Sequence, residues 1–450
     1  MTYQETIHYL YNVTPMFEHI GAVAYKPGLQ TTEALDEHYG HPHRQYKTIH
    51  VAGTNGKGSC SHTLAAILQQ AGFKVGLYTS PHIVDFRERI RVNGQTVSEK
   101  YVIDFVDDFI KWNKESSISN DECSSRNNEC STRNDNCSSV NNQRLYPSFF
   151  ELATAMAFKY FADQQVDIAV VEVGLGGRLD CTNIITPILS IITNISFDHT
   201  QFLGNTLAEI AAEKAGIMKR NVPVVIGETT AETRPVFEEK ARLVGSPIYF
   251  AEDIAEVISS SPNNQGGRNY LTRNFGTLVG QLGGNYQEKN TNTILAAVAL
   301  LPAVGRADIA NGFAHVCETT GLVGRWQTIH QRPLAICDTG HNVGGWQYLA
   351  PQIKSQPCKQ LRMVFGMVDD KDIDTVLTML PKDAVYYFTK AQSKRAIPEQ
   401  RILEKATALG LHGTAFPNVK DAYRQAMSEA DPDDFIFVGG SSYVVADLLS

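Results

Sequence analysis

The chain has 450 residues, 43% hydrophobic and 20% charged, which is the make-up of a globular protein long enough for two or three domains. Its net charge of −8 leaves no cationic excess to neutralise a nucleic-acid backbone, so no nucleic-acid partner is expected. No apolar run approaches the ~18 residues that span a bilayer, and Met1–Tyr11 lacks the apolar core of a secretory leader; both predict a cytoplasmic protein with no membrane partner.

Residues 1–46 carry one short helical pattern, Ile7–Leu10, and a loop at Pro27-Gly28-Leu29. The next stretch organises the chain. Thr48–Val51 is β-rich, Gly53-Thr54-Asn55-Gly56-Lys57-Gly58 is a glycine-dense turn, and Ser59–Ala71 has helical periodicity. Strand, glycine loop and helix together make a phosphate cradle, because backbone N–H groups and a helix N-terminus converge on an anion. Lys57 is placed to reach β- and γ-phosphates, and the Ser59 hydroxyl to hold Mg²⁺. The spacing departs from the usual P-loop, since Gly58 separates Lys57 from Ser59 and position 51 is Val.

Apolar, β-branched runs at Lys74–Thr79, Asp167–Val173, Ile188–Asn194 and Val222–Ile226 alternate with helical stretches Phe149–Asp163 and Leu207–Met218. That alternation predicts a mostly parallel sheet with helices on both faces. Residues 116–144 contain a seven-residue repeat marked by Cys123, Cys130 and Cys137; its polarity predicts a disordered insertion, and no Cys-x-x-Cys pair or His supports a metal site. The other five cysteines are scattered singly. Ser259–Gly284 reads as hairpins or loop, followed by a helix from Asn290 to Leu301. A second alternation runs through Leu334–Asp338, Arg362–Gly366, Ala384–Thr389 and Phe435–Val438. The predicted class is α/β: a P-loop ATPase domain over 1–301, then a smaller Rossmann-like α/β domain over 302–450.

Four constellations end predicted strands, where open α/β sheets place ligands. Ser80 follows the second strand as an oxygen donor to Mg²⁺, with Arg87 and Arg89 beyond it as donors to carboxylate or phosphate. Glu172 closes an apolar run and precedes Gly174, Gly176 and Gly177; a buried carboxylate there is costly unless paired or metal-bound. Asn194–Thr200 carries His199, which alone is more often structural than a ligand. Lys214, on a helical stretch, reads by residue type as a solvated helix-end cation. Gly324-Arg325-Trp326 and Asp338, His341 and Asn342 offer the second domain's share of an interdomain cleft, or else a polar turn.

These residues resemble the folylpolyglutamate synthase and dihydrofolate synthase family of the Mur ligase superfamily. The resemblance rests on His50–Ser59, Thr79-Ser-Pro-His82, Phe86–Arg89, Phe149–Glu151, Glu172–Asp180, Asp198-His199-Thr200 and Glu213–Ile217, in the family's order. It implies an ATP- and Mg²⁺-dependent ligase, acting through an acyl phosphate, that adds L-glutamate to dihydropteroate, to tetrahydrofolate, or to both. It further implies that Gly53–Ser59 hold the ATP phosphates, and that Ser59, Ser80, Glu172, His199 and a carbamylated Lys214 bind metal. Lys57, Glu172, His199 and Lys214 would then be catalytic. Asn290, Arg325, Asp338 and His341 would contact nucleotide. The substrate end would involve Arg87, Phe149, Phe150, Glu151, Asp180 and Asn183, and the protein would be a monomer. Two segments depart from the family pattern: Asp338-Thr-Gly-His-Asn-Val for Asp-Gly-Ala-His-Asn-Pro, and Gly284-Asn-Tyr-Gln for Gly-x-His-Gln. The alternatives are another Mur-type amino-acid ligase and a P-loop kinase or NTPase that ignores glutamate.

Overall fold

The computed structural model describes residues 1–12, 14, 28–124, 144–301 and 303–450. An eight-stranded sheet forms the first unit, in the order β4 (Gln95–Thr96), β3 (Ile90–Val92), β2 (Val75–Tyr78), β5 (Ile168–Glu172), β1 (Lys47–Ala52), β6 (Leu189–Ile192), β7 (Val224–Ile226) and β8 (Ile248–Phe250). The six strands from β2 to β8 are parallel, while β3 and β4 extend the edge antiparallel.

The two-residue period of a strand decides what each face buries. Ile168 and Val170 of β5 point to the side that receives helix α1 (Lys57–Gln70), with Ile49, Val51, Leu64 and Ile67. Ala169 and Val171 point to the other side, against Leu152, Met156 and Phe161 of helix α2 (Phe149–Asp163). Each of these side chains larger than alanine contributes about 1.5–3 kcal/mol by leaving water. The same alternation turns Glu172 toward α1 and His50 toward the opposite face.

A three-stranded antiparallel sheet follows, with β10 (Arg268–Thr272) between β9 (Val257–Pro262) and β11 (Thr277–Gly280); here the polar glycine-rich segment forms its hairpins. Helix α3 (Gln287–Val298) then starts three residues before Asn290. The second unit is a six-stranded sheet, ordered β12 (Gln327–Gln331), β13 (Leu334–Asp338), β17 (Phe435–Gly439), β14 (Leu361–Phe365), β15 (Val385–Thr389) and β16 (His412–Phe416). Only β12 runs antiparallel.

Helix α4 (Arg306–Ala314) packs on α1 so closely that a Cβ at Gly312 would lie 2.5 Å from Ile67, and Ile309 and Phe313 share a core with Ile67. We propose that the seam between the units lies in the 321–326 connection, past the division drawn at 302 from the sequence. The polar repeat region begins as the end of a helix, Glu99–Ser124, which departs from the expectation of disorder from residue 116; residues 125–143, and with them Cys130 and Cys137, lie outside the described residues. Among the described residues no helix is long and apolar enough to cross a membrane.

Candidate active site

The parallel strands of both units end at one cleft, a cavity of about 380 Å³. From the first unit come Gly53–Ser59, Ser80, Glu172, His199 and Lys214; from the second come Asp338, His341 and Lys371. The loop after β1 turns on glycines that no other residue replaces without strain. Gly53 has φ +146°, with a Cβ there falling 1.8 Å from Thr193 Oγ1, and Gly56 has φ +83°, with a Cβ 2.3 Å from Asn290 Oδ1. Lys57 Nζ donates to the Gly53 and Thr54 carbonyls at 3.1 and 3.2 Å. Lys214 Nζ, from the helix Leu207–Ala215, donates to the same Gly53 carbonyl at 2.9 Å.

Lys214 is therefore not the solvated cation its residue type suggests; it is 4% exposed. Burial, helped by the Lys57 charge, pulls its amine down to about 7. Two ammonium groups on one carbonyl repel each other, and an arriving polyphosphate would relieve both.

Glu172 is 3% exposed, with Ser80 N donating to Oε2 at a long 3.4 Å. Burial pushes its carboxyl up to about 7, against the pull of Lys57 and Arg325. A buried carboxylate so weakly satisfied suits a hard divalent cation. Ser59, Ser80 and His199 line the same cavity. Burial lowers His199 to about 4, so its imidazole is neutral near pH 7, the form that ligates metal. The donor set thus fits a divalent ion.

At the end nearest α2, Phe149, Phe150, Glu151 and Asp180 line the cavity. The Phe150 ring stacks on Tyr78 with centroids 5.8 Å apart and planes inclined by 30°. Glu151 has a second task that Ser148-x-x-Glu151 announces: Oε2 accepts Ser148 N at 2.7 Å and Oγ at 2.8 Å, closing a capping box on α2. Two expected substrate residues are turned elsewhere. Arg87 forms a bidentate pair with Asp85, at 3.0 and 2.9 Å, and a looser one with Glu99, away from the cavity lining. Asn183 also lies outside it and donates to the Arg178 and Gly216 carbonyls. The helical turn Phe86–Arg89 presents Arg89 instead, 1% exposed, over the Phe149 ring at 5.0 Å and bonded to His82 Nδ1 at 2.8 Å.

Across the cleft, Asp338 accepts from Tyr286 Oη at 2.6 Å, Trp326 N at 2.7 Å and Gly340 N at 2.8 Å. Tyr286 thereby ties the first unit to the second. Asn55 and Asn342 exchange two amide hydrogen bonds, 3.1 and 2.9 Å, between the glycine loop and the second unit. Asn342 also donates to Asp198 at 3.0 Å. Asp198 accepts from Lys371 Nζ at 2.5 Å and lies 3.6 Å from His341 Nε2. Burial alone would raise Asp198, but His341 and Lys371 hold it well below the usual carboxylate range. Asp370 and Arg395 pair beside Lys371. Arg325 and Asn290 also line the cavity, facing Gly58 and Gly56 respectively.

Lys371 and Arg395 were not singled out from the sequence, and Asp198 and Tyr286 appeared there only within motif segments, with no role assigned. Asp369-Asp-Lys-Asp372 reads as a solvated charged turn. Only burial of the Lys371 side chain to 8%, against a carboxylate 173 positions away, marks it.

Residues 136–244 match the Mur ligase middle domain, and residues 324–442 the Mur ligase glutamate ligase domain. The fold and these two domain matches are those of a Mur-type ATP-dependent ligase. The chain is 30% identical over 436 residues to the dihydrofolate synthase/folylpolyglutamate synthase of Bacillus subtilis, covering 94% of each. It is 32% identical over 409 residues to the Escherichia coli enzyme so named, covering 89% of this chain and 85% of that one. A Haloferax volcanii relative, a probable bifunctional folylpolyglutamate synthase/dihydropteroate synthase, is 31% identical, and the chain spans half its length. The structure superposes on that of E. coli FolC in complex with DHPP and ADP, with a TM-score of 0.79 at 29% identity, covering 100% of this chain and 97% of that one. A bifunctional folylpolyglutamate synthase/dihydrofolate synthase with Mn, AMPPNP and L-glutamate bound aligns with a TM-score of 0.76 at 26% identity, covering 100% and 97%. The chain belongs to the dihydrofolate synthase/folylpolyglutamate synthase family.

Proposed function

We propose that this chain joins L-glutamate to the carboxylate of dihydropteroate, of a tetrahydrofolate, or of both, at the expense of ATP and through an acyl phosphate. One observation carries the reading: a single cavity is lined by a phosphate cradle, an aromatic and acidic recess, and a cationic cluster on the facing unit. In this reading the cradle and Lys57 bind the ATP phosphates, while Asn290, Arg325, Asp338 and His341 serve the nucleotide. Ser59, Ser80, Glu172 and His199 hold Mg²⁺, which neutralises charge on the transferring phosphoryl group. The neutral amine fraction of Lys214 is what carbamate formation requires. Phe149, Phe150, Glu151 and Asp180, with Arg89 in the place expected of Arg87, receive the pterin end.

The substrate carboxylate attacks the γ-phosphorus and ADP leaves. The glutamate amine then attacks the acyl carbon, expelling phosphate and losing a proton. No side-chain nucleophile is required. Lys371 and Arg395, on the facing unit, supply cations for the glutamate carboxylates, so closure of the units brings amine and acyl phosphate together.

The test is phosphate release from Mg²⁺-ATP with dihydropteroate or tetrahydrofolate, with and without L-glutamate. Release that needs both acid and amine supports the ligase. Release indifferent to glutamate refutes it in favour of a kinase or NTPase.

A further inference from the structure

His50 sits in the centre of β1, fully buried, three residues before the glycine loop, and no step above uses it. Its Nε2 lies 2.8 Å from Thr182 Oγ1, and Thr182 Oγ1 lies 2.5 Å from Asp180 Oδ1. A chain of three side chains therefore runs from the middle of the sheet to a carboxylate in the cavity wall. All three are at most 5% exposed.

The direction of the protons follows from counting donors. Thr182 has one hydroxyl proton, and an ionised Asp180 can only accept. Asp180 Oδ1 also accepts Thr182 N at 3.0 Å, and Oδ2 accepts Leu175 N at 2.8 Å; both bonds favour the ionised carboxylate against the burial that pushes its pKa up. With the hydroxyl proton committed to Asp180, Thr182 accepts from His50, so the proton of the ring is on Nε2. The reverse arrangement would put it on Nδ1, which has no partner. A buried N–H without an acceptor costs more than a lone pair without a donor. Burial, with Lys219 nearby, drives His50 down to about 3, so the ring stays neutral.

We propose that His50 is a positioning residue for substrate recognition: through Thr182 it fixes Asp180 as an oriented, acceptor-only carboxylate facing a heterocyclic edge that carries adjacent N–H donors. The proposal rests on the pterin reading of this recess. Without the His50 donor, the Thr182 hydroxyl is free to rotate, and Asp180 keeps only its backbone bonds to Thr182 N and Leu175 N, losing the side-chain bond that fixes the Oδ1 edge.

The experiment compares His50→Leu, His50→Gln, Thr182→Val and the His50→Leu/Thr182→Val double variant in glutamate-dependent phosphate release, together with ¹⁵N NMR of the wild-type His50 ring. The expected result for His50→Leu is a rise of about tenfold in KM for dihydropteroate, ~1.4 kcal/mol, with KM for ATP and glutamate unchanged within about twofold. His50→Gln, which keeps a donor at the same reach, restores the lower KM. Thr182→Val matches His50→Leu, and the double variant is no worse than Thr182→Val alone. Wild-type His50 shows the neutral Nε2–H tautomer from pH 5 to pH 8.

An unchanged dihydropteroate KM, a parallel rise in all three KM values, or an Nδ1–H tautomer overturns the proposal. If His50→Leu does not fold, Thr182→Val and the NMR tautomer decide. A wild-type enzyme that turns over ATP and glutamate with neither pterin refutes the pterin reading, while the tautomer still decides the hydrogen-bond chain.

Discussion

The paired amides of Asn55 and Asn342 join the glycine loop to the second unit, and their removal measures how far the reaction depends on that junction. Each neutral bond contributes about 1 kcal/mol, so the pair couples the two units by ~2 kcal/mol. Asn55→Ala loses that pair and a longer bond from its amide to Ser196 Oγ at 3.3 Å, within the first unit. Asn342→Ala loses the pair, the N-cap bond to Gly345 N at 2.9 Å, worth ~1 kcal/mol, and the charge-assisted bond to Asp198, worth ~2 kcal/mol. The singles then sum to ~7 kcal/mol while the double variant costs ~5 kcal/mol. If the clasp serves the assembled, reacting state, Asn55→Ala lowers kcat/KM about 30-fold. The assay is steady-state phosphate release for the four proteins of the cycle. A double variant whose loss equals the product of the single losses would show that the two side chains do not act together, and would refute the argument.

Lys371→Ala leaves Asp198 buried beside only partial countercharge, a loss of about 3–5 kcal/mol; glutamate saturation curves should show kcat down at least ~100-fold and KM for glutamate raised. Arg87→Ala, which breaks a half-exposed pair worth about 0–1 kcal/mol, should leave KM for the pterin within about twofold, whereas Arg89→Ala should raise it clearly and lower Tm. The pH dependence of stability has two opposite parts. Glu172, raised in the fold to about 7 from 4.5, makes stability fall as pH rises from 4.5 to 7, because the folded state there binds more protons. Lys214, lowered from 10.5 to about 7, makes stability rise from pH 7 to 10.5, because the unfolded state there binds more. Thermal unfolding across pH should lose the first slope in Glu172→Gln and the second in Lys214→Met; slopes that survive in these variants would refute the assignment.

Local pattern carried a great deal of this molecule. The parallel strands were legible because a β-branched run buried on both faces differs from anything around it. Strands β8 and β16 were not, since both are short sheet edges, half exposed, with a weak alternation. The cradle was legible because strand, glycine turn and helix are consecutive, and the steric demands at Gly53 and Gly56 act within a few residues of Lys57 and Ser59. Glu172 was legible for a related reason, a charge closing an apolar strand.

Arg87 and Arg89 show where local reading ends. Two arginines two residues apart have the same chemistry, and only the pitch of the Phe86–Arg89 turn sends one to Asp85 and the other over Phe149. Lys214 shows it again, since a helix-end lysine becomes a half-neutral amine once its helix is docked on the Gly53 carbonyl. Residue order was enough for the strands and the glycine loop, because those preferences are settled among near neighbours. The pairs Lys371–Asp198, Tyr286–Asp338 and Asn55–Asn342 arise only when two separately folded sheets face each other; contact between residues fifty to three hundred positions apart is a property of packing, and no local spacing encodes it.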